Sequence, residues 1–283
     1  MPGRAVLAGL FVFANLAIAQ LETPSNTTRC IDGVLVAAIH PFYTAAGREF
    51  TAAGRAIVGS APVGYEGTAG WLESIGSAAN VGAAAIGAAK DKFLPAIRGA
   101  LAAARIDGRI TVSGYEGSEL LVARLLIESG AQVPYVGTAC PRTLWSQVDR
   151  EWLEAHGARV QYRASLEQDR SAMQEFHPDL AIGTTPGVQA AKELAIPAVY
   201  FTNLISARPL MGPAGAGSLA QVVNAALGNK RRFEQFRAFF EHVGTGHAAG
   251  IWEQTPHDRP EFREHYQRLL AKQAIRSTAE DGV

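Results

Sequence analysis

From Val34 onward the chain alternates short apolar runs with amphipathic stretches. Residues 34–39 (VLVAAI) are nearly all apolar, as in a strand buried on both faces, and the run breaks at His40-Pro41 before a helical stretch over 43–54. A second strand at 57–59 leads through a glycine-rich turn to a helix over 68–76. Residues 93–104 read as a long connecting helix, which tolerates Pro95 only near its first turn. Beyond Gly108 the alternation sharpens. Strand-like runs at 110–113, 133–137, 159–163, 180–183 and 197–201 are separated by helical patterns over 118–129, 145–156, 166–176 and 188–194. Gly130 and Gly157 follow the first two of these helices, as helix-ending glycines do. Five strands alternating with four helices predict an α/β fold built on a Rossmann-like, doubly wound parallel sheet.

The last part of the chain changes character. Residues 219–227 and 231–243 are helical in pattern, and 260–275 form a charged amphipathic stretch. The pattern divides the chain into an unassigned apolar segment (1–32), a partial Rossmann-like α/β domain with its connecting helix (33–104), a five-stranded Rossmann-like domain (105–210) and a C-terminal helical region (211–283). One internal echo stands out: VGYEGT (63–68) and SGYEGS (113–118) each follow an apolar strand and open a helix.

Composition narrows the choices. Lys+Arg and Asp+Glu both number 26, so the formal charge is zero, and nucleic acid is not an expected partner. With 48% hydrophobic residues the chain has ample material for a core. Its cysteines, Cys30 and Cys140, are too few for a disulfide scaffold or for the four thiolates that usually hold an iron–sulfur cluster. The N-terminus pulls the other way: Arg4 precedes an apolar run ending in Ala17-Ile18-Ala19 before Gln20, the layout of a secretory signal. A buried element at a truncated or misassigned start reads equally well.

In an open parallel sheet, ligands sit outside the C-terminal ends of the strands, so the turns there are searched for chemistry. They hold Glu116 after the third strand, Cys140-Pro141-Arg142-Thr143 after the fourth, Gly183-Thr184-Thr185-Pro186 after the sixth and Thr202-Asn203 after the last. His40 and Tyr43 occupy the equivalent place in the first unit. Arg142 beside a helix start suits an anion such as a carboxylate, while Thr143 as a plain N-cap and Cys140 as a small buried residue is the competing reading. No HExxH or CxxC metal signature occurs. Two glycine-rich stretches imitate phosphate loops and fail: 82–87 is followed by Ala88-Ala89 in place of Lys-Ser/Thr, and MGPAGAGSL (211–219) lacks a lysine and follows the last strand. The glycines of 211–219 are expected to permit a close backbone approach at a helix starting at Ser218 as N-cap, with Arg208 just upstream.

Long segments then converge on one resemblance. HPFYTAAGREF, SAPVGYEGTAGWLESIG, SGYEGSELLVARLLIESGAQVPYVGTACPRT and the run from PDLAIGTTPGV through NLISARPLMGPAGAGSLAQVVNAALGN are similar to the Y-subunit family of chlorophyllide a reductase, a nitrogenase-like enzyme of bacteriochlorophyll synthesis. The resemblance covers about Val34 to the C-terminus.

It implies a nitrogenase-like arrangement of Rossmann-like domains, a related Z subunit as partner in a heterotetramer, and electrons from an ATP-dependent iron–sulfur reductase, subunit X. The implied reaction reduces the C7=C8 double bond of ring B in chlorophyllide a. It also implies a 4Fe–4S cluster shared between subunits on cysteines of an N-terminal domain that this chain does not match, so neither Cys30 nor Cys140 is assigned to it. Within the resemblance, His40, Tyr43, Glu116, Arg142, Asn203 and Arg208 are the candidate substrate-binding residues, and the place of action is the cytoplasm. A periplasmic two-lobed solute-binding protein and a non-catalytic assembly partner derived from the reductase are the competing expectations.

Overall fold

The computed structural model describes residues 35–37, 43–206 and 208–241, with side chains up to residue 235. The chain divides into two compact units, one ending at Lys230 and the other beginning at Arg231. Of the second unit, residues 231–241 are described, within the helix Lys230–Glu241 (α10).

The first unit holds two parallel sheets. The smaller pairs β1 (Leu35–Ala37) with β2 (Ala56–Val58), joined through α1 (Thr44–Ala52). Two helices follow, α2 (Gly64–Ala78) and α3 (Ala83–Ala103). The larger sheet comprises β3 (Arg109–Gly114), β4 (Gln132–Thr138), β5 (Arg159–Tyr162), β6 (Leu180–Gly183) and β7 (Ala198–Tyr200). Its strand order is β5-β4-β3-β6-β7 and every pairing is parallel. The helices between them are α4 (Glu119–Glu128), α5 (Gln147–Ala155, entered through the 3₁₀ turn Leu144–Ser146), α6 (Leu166–Phe176) and α7 (Thr185–Glu193). Then come α8 (Phe201–Ser206) and α9 (Gly212–Leu227). The doubly wound sheet expected from the apolar runs is therefore present, strand for strand. Among the described residues no helix is long and apolar enough to cross a membrane.

Local chemistry explains the departures. Pro134 lies within β4, a strand hydrogen-bonded on both sides, where its missing N–H would break the ladder. The β3–β4 register shifts between Arg109 and Thr111, so Pro134 falls in the irregularity, and pairing with β5 begins only at Tyr135. Pro95, expected near a helix start, lies in the interior of α3. There it forfeits the hydrogen bond to the carbonyl of Asp91; burial of Leu94, Ile97 and Leu101 in the core offsets that loss. Ser218, expected as an N-cap, lies in the middle of α9, because the helix begins six residues earlier at Gly212. Gly215 does provide the close approach: a side chain there would strike the Leu210 backbone. Its freedom lets the chain fold back on Pro209-Leu210 before α9 packs on α3 through Leu219, Ala220 and Val223.

One buried ionic network joins the first α/β part to the second. Arg124 of α4, only 5% exposed, donates from Nη1 to Asp149 of α5 at 3.0 Å and lies 3.5 Å from Glu128 one turn along. Its guanidinium also stacks over Trp152. Asp149 accepts from Ser60 Oγ at 2.7 Å, and Glu128 accepts the N–H groups of Tyr65, Glu66 and Gly67 at the start of α2. Burial holds both carboxyls above their ordinary range despite these donors.

Replacing Arg124 leaves two buried carboxylates without a cation. Arg124→Ala is expected to lose about 3–5 kcal/mol in urea denaturation at pH 8. The loss is expected to shrink at pH 5, because the unpaired carboxyls, with folded-state values raised still further, take up protons and become neutral as pH falls. An unchanged midpoint at pH 8 would show that the network carries no stability.

Candidate functional site

The order β5-β4-β3-β6-β7 places a topological switch point between β3 and β6: the chain leaves β3 toward β4 on one side and leaves β6 toward β7 on the other. The loops diverging there open a crevice at the C-terminal strand ends.

The two GYEG turns next to such crevices look ready for a phosphate, and both are already filled. In the first, the Glu128 carboxylate takes the amides of Tyr65, Glu66 and Gly67. In the second, Glu119, 1% exposed, accepts from the N–H of Glu116 at 2.6 Å and of Gly117 at 3.0 Å, and from Thr138 Oγ1 at 2.8 Å. Gly117 has φ +92, which lets the turn wrap its amides inward. The echo between 63–68 and 113–118 thus reflects one device used twice: a protein carboxylate sits where a dinucleotide would place its phosphates.

The turns after β6 and β7 are different. Gly183, Thr184, Thr185, Pro186, Tyr200, Thr202 and Asn203 line an open groove of about 430 Å³. Thr184 is the N-cap of α7 but makes no side-chain cap bond, and Pro186 in the first turn has no N–H to satisfy. Thr202 Oγ1 donates to Glu116, and Arg208 Nη1 donates to the carbonyl of Asn203 at 3.4 Å. Of the sequence candidates, Asn203 lines the groove, while Glu116 is tied to it through Thr202 and Arg208 through the Asn203 carbonyl. The lining offers threonine hydroxyls and the Asn203 amide, with the Arg208 guanidinium bonded to the Asn203 carbonyl, a set that suits a carboxylate on a larger ligand.

The other candidates lie apart. The Arg142 guanidinium faces the Tyr162 ring at 5.5 Å, beside the edge strand β5. Thr143 caps the 3₁₀ turn with a reciprocal capping box to Ser146, so the plain N-cap reading of that residue holds. Cys140 is 2% exposed and burial pushes its thiol up to about 11, a poor nucleophile and a poor metal ligand at neutral pH. Tyr43 is the exposed residue preceding α1, one turn before Gly47, which packs against Trp145. His40 and Cys30 lie outside the described residues. The sequence reading missed Glu119, which fills the second turn, and the buried cluster of Tyr115, Tyr135 and Asp169. An apolar-run search passes over the latter, since Tyr135 sits inside a strand and Asp169 reads as a favourable first-turn acid of α6.

Comparison with known proteins fits this geometry. Residues 15–227 match the family Nitrogenase component 1 type Oxidoreductase, and the chain belongs to it. A solved structure, Nitrogenase Cp1 at pH 6.5, shares the fold at TM-score 0.52 and 18% identity over 71% of this chain and 46% of that one. More specifically, the chain is 66% identical over 253 residues, 89% of its length, to the chlorophyllide reductase 52.5 kDa chain of Cereibacter sphaeroides and equally to that of Rhodobacter capsulatus. It spans about half the length of these curated relatives, 50% and 51% respectively.

Iron–sulfur chemistry goes with this family, so the fit of a cluster is a fair question. Among the described residues no three His, Cys, Asp or Glu side chains gather to hold a metal. The buried, hydrogen-bonded Cys140 does not fit the role of a ligand. In a Cys30→Ser chain, Cys140 is expected to resist alkylation at pH 7.5 in the native state and to react fully in denaturant, as mass spectrometry would show. Rapid native labelling would mean an accessible thiolate and would reopen both roles.

Proposed function

We propose that this chain supplies the substrate-side surface of a chlorophyllide a reductase, the enzyme that reduces the C7=C8 double bond of ring B. The observation that carries the reading is the 66% identity to two chlorophyllide reductase chains over 89% of this chain. It is supported by a groove at the C-terminal ends of β6 and β7, next to the switch point of a nitrogenase-type sheet. A related Z subunit would complete the catalytic component, and subunit X, an ATP-dependent iron–sulfur reductase, would deliver electrons. A 4Fe–4S cluster shared between subunits would take its ligands from outside the described residues of this chain. Low-potential electron transfer of this kind belongs in the cytoplasm, where thiols and clusters stay reduced.

Within that reading Arg208 and Asn203 hold the propionate carboxylate of chlorophyllide a, and Glu116, tied to Thr202, orients the rim. The filled GYEG turns favour this assignment, because they leave the groove after β6 and β7 as the place for an anionic group. Arg142 is the competing carboxylate site, 5.5 Å from Tyr162 at the other edge of the sheet.

The test is reconstitution. The chain, alone and grafted into a full-length relative in place of its matching segment, is co-expressed with subunits Z and X, and absorption spectra follow conversion of chlorin to bacteriochlorin. Arg208→Ala is expected to raise KM for chlorophyllide a about tenfold or more, the worth of one charge-assisted hydrogen bond, with kcat little changed. Arg142→Ala is expected to leave KM in place. The opposite pattern moves the carboxylate to Arg142. No complex and no spectral shift even in the grafted protein would refute the reading, and a stable complex without turnover would favour the non-catalytic assembly partner.

A further inference from the structure

Two aromatic residues stand side by side where β7 passes into α8, and they have opposite fates. Phe201, 1% exposed, is part of the core and packs over Gly114 of β3, where any side chain would strike its ring. Tyr200 belongs to none of the core clusters and stays 39% exposed. A single exposed tyrosine needs no explanation on its own. Its surroundings supply one. Five large apolar side chains are exposed among the described residues, and Tyr200 is the one of them that lines the groove after β6 and β7. β7 is an edge strand, paired with β6 alone, and Tyr200 stands in register with Gly183. Neighbours in register face the same side of a sheet, so no side chain stands beside Tyr200 on its paired flank. Pro186, an exposed rigid ring in the first turn of α7, lines the same groove.

The groove therefore combines two kinds of lining. Asn203, with Arg208 bonded to its carbonyl, is polar and suits an acid group; Tyr200 and Pro186 are flat and apolar. A ligand that satisfies both carries a carboxylate on a flat conjugated ring. Size sets how much of it is held. Pockets of about 300–1,000 Å³ serve drug-sized ligands, and this groove, open to solvent, holds about 430 Å³. A tetrapyrrole is larger than such ligands and occupies the groove with one edge.

We propose that Tyr200 is a specificity-determining residue of this groove: its ring stacks on the conjugated plane of the tetrapyrrole, beside the Pro186 ring. This rests on the tetrapyrrole-reduction reading for the identity of the ligand and adds what selects it. Aromatic faces attract one another in offset stacks beyond the gain from buried area alone, and a tyrosine ring loses little freedom on being covered, since it turns about only two side-chain bonds. The carboxylate contact fixes one end of the ligand, while the ring selects for flatness, so a flexible acid of equal charge gains nothing from Tyr200. Because Phe201 carries the packing at this point of the sheet, Tyr200 is free to serve the ligand without a cost in stability.

The experiment has two arms. In the first, chlorophyllide a is titrated onto the 283-residue chain and followed by the pigment's absorption. Tyr200→Phe keeps the ring and is expected to bind like wild type. Tyr200→Leu, which keeps apolar bulk without a flat face, and Tyr200→Ala are expected to raise Kd about tenfold and to lose the shift of the main absorption band that stacking produces. All three should keep the wild-type Tm, since the side chain lies outside the core. The methyl ester of the propionate separates the two contacts: it should bind wild type more weakly, and Tyr200→Ala should weaken it by the same further factor. In the second arm, the reconstituted enzyme is expected to show the Tyr200→Ala factor in KM with kcat unchanged. Wild-type affinity in Tyr200→Leu or Tyr200→Ala overturns the proposal, and Tyr200→Phe as weak as Tyr200→Ala assigns the effect to the hydroxyl and overturns stacking. An assembly that reduces chlorophyllide a with an unchanged KM in Tyr200→Ala refutes the stacking and leaves the reduction reading intact. If the wild-type assembly does not reduce the pigment, the reduction reading falls and the titration alone decides whether the groove takes a flat ring; no binding and no reduction refute both.

Discussion

The buried guanidinium of Arg124 is the constraint on which the rest of the unit depends. It lies where α4, α5 and the start of α2 meet, and each of the acids it neutralises has a second task. Asp149 receives Ser60, which follows β2, and Glu128 closes the amide ring at the start of α2. The small β1–β2 sheet is therefore linked to the large one by charge as well as by apolar contact. An ion cluster this deep gains little net free energy over a hydrophobic replacement. What it fixes is register: only one setting of α2 against α4 lets Glu128 reach three consecutive amides.

That setting shapes the ligand surface. Parallel sheets gather helix N-termini at one edge, and each is a ready anion site. Here Glu128 and Glu119 occupy two of the turns from within. The consequence is selectivity by subtraction. The amides of these two turns are taken, while the groove after β6 and β7, lined in part by Thr202 and Asn203, is open, and it is there that the proposed ligand's acid group is assigned. Asp169 of α6 is buried as well, and accepts from the Tyr115 and Tyr135 hydroxyls with no ion pair among the described residues.

Much of the fold was legible because parallel strands buried on both faces leave uninterrupted apolar runs. ITVS, LAIG and the segments around them carry that signature directly. The sequence pattern was less informative where one rule overrode another. Pro134 inside β4 needed a register shift, Pro95 in α3 needed compensation from core burial, and the glycines before Ser218 hid a helix start because glycine and proline usually mark loops. The site was legible by location and not by membership. Strand-end turns contain the candidates, but the strand order decides which turns meet, and that order brought Glu116 to Thr202 while leaving Arg142 beside Tyr162. The acids filling the GYEG turns escaped notice because their partners are backbone amides, which no residue pattern displays.

The proposed tetrapyrrole-reductase surface, with Arg208 as its proposed carboxylate anchor, rests on the family match and on the groove after β6 and β7. The most direct measurement is the structure, by electron cryomicroscopy, of the reconstituted complex with chlorophyllide a bound. The macrocycle is expected over Gly183–Asn203, with its propionate on Arg208 and Asn203. A macrocycle bound away from this strand edge, or a propionate seated on Arg142, would contradict it.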